Sequence, residues 1–102
     1  MKIVRVQYTA KPEFVAKNKE NISRVMENLR EINNPGIKYG TYLAPDEKTF
    51  MHFAQFENDA AEQVLVNLPV FKQFQEELKA SGPETPPKTD HMSMVASSFD
   101  VF

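Results

Sequence analysis

Two histidines are the side chains of this sequence most able to exchange protons near neutral pH. His52 lies between Met51 and Phe53, in a run where an imidazole could serve as an acid, a base or a ligand-orienting group. Alternatively, His52 has a structural role as a hydrogen-bonded residue on a half-buried strand. His91 follows Asp90 and is better explained as a surface residue.

Three further polar residues lie in apolar surroundings. Arg5 and Gln7 share one face of the first predicted strand, where a charged group needs a partner or a wet cavity. Arg5 would form an ion pair with a carboxylate of a helix or a loop, or the two residues would bind an anionic or carbonyl oxygen of a ligand. Asn18 lies on the apolar stripe of the first predicted helix, where it would line a cavity or bond a backbone group. Arg5, Gln7 and Asn18 are therefore candidate substrate-binding donors, with His52 as candidate catalytic base.

Aromatic residues offer an apolar wall for such a site. Phe71 and Phe74 are the candidates for substrate contact, and core packing is the alternative for both. Tyr39 and Tyr42 fall on opposite faces of the second predicted strand and are interpreted as packing residues with hydrogen-bonded tips.

Other site chemistries are poorly supported. The chain has no cysteine, and its two histidines would lie about 10 Å apart across a strand, so we expect neither a metal nor a haem. With three glycines and no Gly-rich loop, a phosphate cradle is excluded. We expect no cofactor of any kind.

Length and charge narrow the class of protein. A chain of 102 residues is expected to form a single domain, residues 1–102. The net charge is −2 with no basic block, which argues against a nucleic-acid partner. Arg5 and Gln7 interrupt the N-terminal apolar run, so neither a signal peptide nor a membrane span is predicted there. A cytoplasmic protein without membrane contact is the expectation.

Strand-like and helix-like patterns alternate along the chain. Period-two alternation predicts strands over residues 2–10, 37–43 and 49–57, the last two joined as a hairpin. Apolar residues at helical spacing predict a first helix over residues 12–32.

A proline interrupts the second helical pattern. Pro69 lacks an N–H and crowds the carbonyl four residues before it, so we expect one helix to end at about Leu68 and another to begin near Pro69. The Pro-rich residues 81–87 are predicted to be an extended, mobile connection, and residues 91–102 a fourth strand.

The element order is therefore β-α-β-β-α-β, which predicts the ferredoxin-like α+β fold, a four-stranded antiparallel sheet with the helices on one face. The third strand is apolar on both faces, because Phe50 lies on one face and Met51 and Phe53 lie on the other. A large exposed apolar face is unusual on a soluble monomer. We therefore expect a homodimer in which the two sheets pack together.

The stretch from the third strand into the second helical region resembles the dimeric α+β barrel superfamily, and most closely its antibiotic-biosynthesis-monooxygenase branch. The matching positions are Gln55, Phe56, Glu57, Asn58, Pro69, Phe71, Lys72 and Phe74. The resemblance implies two ferredoxin-like subunits packed sheet to sheet into one barrel. Its members include cofactor-independent oxygenases of aromatic substrates, haem-degrading oxygenases and stress-induced proteins.

The sequence also departs from that resemblance. Ala54 stands where many oxygenase-type members have an acidic residue, and Leu65 stands where they have a histidine. The haem-degrading members have an amide side chain on the first strand, and Gln7 matches it. They also have a histidine that binds iron, and Gln75 stands at that position. The resemblance therefore argues against haem degradation here.

Two functions fit these residues. The first is a cofactor-independent monooxygenase of a small aromatic or quinol-like substrate, with His52 as base and the amides and Arg5 as oxyanion donors. The second is a non-catalytic dimeric barrel that binds a hydrophobic ligand or a partner in a stress response. The replacements at Ala54 and Leu65 favour the second function, whereas the set around His52 favours the first.

Overall fold

Four strands and three helices make up the chain, of which the computed structural model describes residues 1–102. The strands are β1 (Lys2–Thr9), β2 (Ile37–Leu43), β3 (Thr49–Phe56) and β4 (Thr85–Met92). The helices are α1 (Val15–Ile32), α2 (Asp59–Val66) and α3 (Pro69–Ser81), and a 3-10 turn, Pro12–Phe14, leads into α1. No helix combines the length and the apolar character that a membrane crossing would need.

The strands form one antiparallel sheet in the order β2-β3-β1-β4, which confirms the ferredoxin-like α+β prediction. Because β3 pairs on both sides, His52 lies opposite Thr41 of β2 and opposite Val6 of β1. The core lies on the helix-covered face, and its largest fully buried side chains, Tyr8 and Phe56, come from the two central strands.

A proline separates α2 from α3, as the sequence predicts. Leu68, just before Pro69, is extended, with φ −67° and ψ 128°, the conformation that a residue before proline prefers. At the start of α2, the Asn58 side chain accepts a hydrogen bond of 2.9 Å from the Ala61 N–H, which satisfies one of the free donors there. Asn58 and Pro69 thus define where the two helices begin.

The prediction for the fourth strand was wrong. A mobile connection is expected over residues 81–87 and a strand over 91–102, whereas β4 begins inside the first segment and residues 93–102 form no strand. The two prolines of β4 are tolerated because it is an edge strand, where one side of the backbone has no partner. Its pairing with β1 shifts register beside them, between Gln7 and Thr9.

The sheet face opposite the helices has no covering layer. Met51 and Phe53 lie there, half-buried, whereas Phe50 is buried on the helix side. Tyr42 packs edge-on against Phe53, with ring centroids 5.8 Å apart, and remains 61% exposed. The apolar residues of β3 therefore divide between a packed core and an uncovered face.

Candidate functional site

His52 is the centre of a buried hydrogen-bonded cluster on the helix side of the sheet, and the residue is only 4% exposed. Its Nε2 atom lies 2.8 Å from the Tyr8 hydroxyl. Its Nδ1 atom lies 2.7 Å from the Tyr39 hydroxyl and 3.0 Å from Thr41 Oγ1. Both ring nitrogens are therefore bonded to hydroxyl groups from neighbouring strands.

The bonds around His52 favour one tautomer. Asn18 Nδ2 donates to the Tyr8 oxygen at 2.8 Å, which leaves the Tyr8 hydroxyl proton for His52 Nε2. The ring proton then sits on Nδ1 and is donated to Tyr39. In the opposite tautomer Tyr8 would receive two donors and its own proton would have no bonded acceptor. We therefore assign a one-directional line of donors from Asn18 through Tyr8 and His52 to Tyr39.

Burial keeps this line uncharged. Desolvation lowers the pKa of His52 from 6.5 to about 4, so the imidazole is neutral at pH 7. Desolvation also raises the pKa of the Tyr8 and Tyr39 hydroxyls above their ordinary value of 10, so both phenols stay protonated. The cluster can pass a proton along its bonds while holding no charge at rest.

Two phenylalanines from the first turns of α3 pack against the cluster. The Phe74 ring is buried, with its centroid 5.4 Å from that of His52. The Phe71 ring lies 5.9 Å from Phe74 and meets Tyr39 edge-on at 6.5 Å. The structure therefore places the predicted residues Phe71 and Phe74 against the cluster that contains the predicted residues His52 and Asn18.

Helix α1 carries buried polar atoms that have no partner. Asn18 is fully buried, and its Oδ1 atom is unbonded. Asn21, one turn later, is 3% exposed, and neither its Nδ2 nor its Oδ1 is bonded. Such groups are rare, and each costs about 1–3 kcal/mol. A ligand or a water molecule that supplies the missing partners would offset this cost.

Arg5 and Gln7 do not belong to the cluster, which corrects the prediction that they join Asn18 and His52. Successive residues of a strand face opposite ways, so the burial of Tyr8 directs Arg5 and Gln7 to the uncovered face. There the Arg5 guanidinium donates to Asp90, across the β1–β4 pair, at 3.1 Å, and also to Gln7. An ion pair, the alternative given for Arg5, is therefore found, but its carboxylate comes from strand β4 and not from a helix or a loop.

Tyr8, Tyr39 and Thr41 are cluster members that are absent from the predicted site, and so is Asn21, whose buried side chain bonds none of them. The hairpin register would have identified Thr41, because a short polar turn between β2 and β3 places it opposite His52. Tyr8 lies on the same side of β1 as the buried core. No pattern singled out Asn21, which is one of several polar residues on α1.

His91, the second histidine, is exposed on β4 and lies on the other side of β1 from His52. No three His, Cys, Asp or Glu side chains gather in the chain in a way that could hold a metal ion. The two histidines therefore do not form a joint site.

A cavity of about 800 Å³ lies between α1 and the outer strand β2. Its walls include Tyr39 and Thr41, which bond His52 Nδ1, together with Ile22 and Met26 of α1. His52 itself does not line the cavity. A molecule bound there would reach the imidazole only through the hydroxyls of Tyr39 and Thr41.

The backbone is similar to several solved structures. One, named antibiotic biosynthesis monooxygenase, has a TM-score of 0.77 at 16% identity, covering 94% of this chain and 100% of that chain. A structure from Deinococcus radiodurans assigned by name to the same group has a TM-score of 0.75 at 18% identity, covering 98% of both chains. A variant of SnoaB, named a cofactor-independent oxygenase from Streptomyces nogalater, has a TM-score of 0.70 at 13% identity. The match covers 97% of this chain and 98% of that chain.

The fold is that of the antibiotic biosynthesis monooxygenases. The resemblance predicted from the sequence is confirmed at this level. No protein-family model and no curated protein sequence matches the chain. Within the monooxygenase fold, Ala54 and Leu65, the positions of the missing acid and histidine, are buried in the hydrophobic core.

Proposed function

We propose that this protein is an oxygenase that oxidises a small aromatic or quinol-like substrate without a cofactor. The observation that carries the proposal is the buried polar line through Tyr8 and His52, with unpaired atoms of Asn18 and Asn21 beside it. The fold shared with structures named as monooxygenases supports the reaction class.

The reaction needs a proton acceptor and an electron-rich anion. The substrate, a phenol whose keto tautomer carries a ring CH₂ group, loses a proton, and the anion gives one electron to O₂. The resulting radical and superoxide combine into a peroxide, which loses water and leaves a carbonyl. One oxygen atom of O₂ enters the product and the other enters water. All four electrons come from the CH₂ carbon, so no external reductant is required.

Tyr8 is the group that would contact the substrate, in a space that would have to open in the core beside Asn18 and Asn21, because Tyr8 is 1% exposed and does not line the cavity beside β2. Its oxygen would take the substrate proton while its own proton moves to His52 Nε2, at 2.8 Å. Because the pKa of His52 is about 4, protonation of its Nε2 atom by Tyr8 is thermodynamically unfavourable. The subsequent reaction of the substrate anion with O₂ would drive this transfer to completion. The free amide of Asn21 would donate to the substrate oxyanion, and Phe71 and Phe74 would form the apolar wall.

A non-catalytic barrel that binds an apolar ligand is the second candidate. Both nitrogens of His52 are already bonded, as is usual for a structural histidine. Ala54 and Leu65 also lack the groups that the resemblance implies for oxygenases. In this case the cluster would hold β1, β2 and β3 together, and the cavity beside β2 would hold the ligand.

Oxygen uptake with a panel of phenols, hydroquinones and their keto tautomers separates the two candidates. The substitution Asn21→Leu should raise the free energy of unfolding by about 1 kcal/mol, because it removes two unpaired buried atoms. It should also lower uptake by about 100-fold, as expected when an oxyanion donor is lost. Asn28→Leu, on the same helix, is the matched control and should keep the parent rate. A parent protein without uptake on any member of the panel would contradict the oxygenase.

We also propose that the protein is a homodimer joined through the uncovered sheet face. Ile3, Met51, Phe53 and Met92 present apolar side chains on this face, where no helix covers them. An uncovered sheet face that carries these apolar side chains beside the Arg5–Asp90 ion pair is typical of an interaction surface. Two such sheets pack face to face at about 10 Å.

Met51→Lys should dissociate the dimer, because it would bury an unpaired charge between two sheets. We expect at least a roughly 100-fold rise in the dissociation constant, measured by sedimentation at micromolar concentration. Gln73→Lys, which adds the same charge on the exposed side of α3, should leave the dimer intact. A monomeric parent protein at this concentration would contradict the proposal.

A further inference from the structure

We infer that the proton taken from the substrate leaves the buried cluster through Tyr39 and Thr41 into the cavity beside β2, and that His52 passes it on by exchanging tautomers. The inference rests on the oxygenase proposed above, which supplies the proton, and it adds a proton outlet to that site. It is carried by the bonds on both ring nitrogens of His52 and by the residues that line the cavity.

The inner end of the line lies away from solvent. Tyr8 and His52 are both buried, and neither of them lines the cavity beside β2. A proton that reached His52 Nε2 and stayed there would leave a positive charge in the core. Burial lowers the pKa of His52 to about 4, so this charge is unfavourable at neutral pH. The proton therefore needs a route onward from the ring.

The outer end of the line meets the cavity. The hydroxyl oxygens of Tyr39 and Thr41 lie 2.7 Å and 3.0 Å from His52 Nδ1, and both residues line the cavity. Arg30 and Lys38, which are exposed, also line it, so the cavity is open to solvent. No Asp, Glu or His side chain lines it. A proton released there would pass to water or to a bound molecule, because no carboxylate or imidazole is present to take it.

Transfer along the whole line needs no charged imidazole. In the resting tautomer, Nδ1 of His52 carries the ring proton and donates it to Tyr39, while Tyr8 donates to Nε2. When Tyr8 takes the substrate proton and gives its own to Nε2, Nδ1 gives its proton to the hydroxyl of Tyr39 or Thr41. That hydroxyl releases its own proton to the cavity. The N–H bond at Nε2 forms as the one at Nδ1 breaks, so the ring stays neutral throughout.

The same line can return a proton to the reaction. Combination of O₂ with the substrate anion gives a peroxide anion, which must gain one proton before it loses water. Tyr8 supplies this proton, His52 Nε2 returns one to Tyr8, and Tyr39 returns one to Nδ1. The cavity then returns a proton to Tyr39. The resting tautomer is restored, and no proton is gained or lost over the cycle.

Exchange of the His52 ring proton with water, measured by NMR on the isotope-labelled full chain, tests the outlet without a substrate. In the parent protein, the nitrogen chemical shifts should place this proton on Nδ1. Tyr39→Phe keeps the aromatic ring and removes the hydroxyl, so it should slow the exchange by at least about 10-fold. Thr41→Val removes the second hydroxyl at Nδ1 and should also slow the exchange, with the side chain of Tyr39 left in place.

The direction of the change separates a proton route from a purely structural role. Loss of a bond that only held the strands together would loosen the cluster and make the exchange faster. Tyr42→Phe is the matched control, because Tyr42 lines the same cavity from the other face of β2 and does not bond His52. It should keep the parent rate. Exchange that is unchanged or faster in both Tyr39→Phe and Thr41→Val, or a parent ring proton on Nε2, would overturn the outlet.

Oxygen uptake distinguishes failure of the outlet from failure of the oxygenase. With a substrate that the parent oxidises, Tyr39→Phe should lower uptake by at least about 10-fold. Parent-like uptake together with slowed exchange would overturn the part of the outlet in the reaction. A parent without uptake would overturn the oxygenase, whereas slowed exchange in the Tyr39→Phe and Thr41→Val variants would still support the route from His52 to the cavity.

Discussion

Replacing His52 with leucine should lower the free energy of unfolding by about 2–6 kcal/mol. The substitution removes the ring that bonds Tyr8 on one side and Tyr39 on the other, and it leaves both buried hydroxyls without that partner. Each orphaned group costs about 1–3 kcal/mol. Leucine is apolar and suits the wall formed by Phe74, so the loss of packing is the smaller effect. Denaturation by urea measures the difference.

His91→Leu is the matched control for this measurement. His91 is exposed and has no side-chain hydrogen bond, so its replacement should change the free energy of unfolding by no more than about 0.5 kcal/mol. Equal stability of the parent and the His52→Leu variant would show that the cluster is not closed as described.

Lowering the pH from 6.5 to 4 should destabilise the protein by about 3 kcal/mol through His52. The pKa of His52 is about 4 in the folded chain and 6.5 in its ordinary state. Between these values the unfolded chain binds a proton that the folded chain does not. Stability is therefore complete above pH 6.5 and falls as the pH approaches 4. Urea denaturation at closely spaced pH values measures the slope.

The variant His52→Gln should lack this slope, whereas His91→Gln should retain it. Asp46 contributes at lower pH, because bonds from Thr49 and Lys48 hold the pKa of its carboxyl below the usual 3.8. An acid sensitivity between pH 6.5 and 4 that survives in His52→Gln would assign the effect to other groups.

Local patterns were sufficient to predict most of the elements. Alternation located three strands, and Pro69 located the division between two helices. The fourth strand was predicted at the wrong residues because Thr85–Met92 is polar and contains two prolines. Its place in the sheet depends on backbone pairing with β1, and a side-chain pattern carries little information about such pairing.

Prediction of the site requires the pairing register of the strands as well as the pattern of residue types along each strand. The sequence shows that Arg5 and Gln7 share a face, but it does not show whether that face meets the helices. A shift of one residue exchanges the two faces of a strand. The burial of Tyr8 decides the question and separates Arg5 and Gln7 from His52. The unpaired atoms of Asn21 follow from packing between elements, which no single segment encodes.

The polar line through His52 joins segments that are distant in sequence. Asn18 and Tyr8 are separated by 10 residues, Tyr8 and His52 by 44, and His52 and Tyr39 by 13. The contact between Tyr8 and His52 requires a long loop to close, so the whole line forms late in folding. No isolated helix or hairpin contains the whole line. A partly folded chain therefore lacks the closed line, which is complete only once β1, β2, β3 and α1 have assembled.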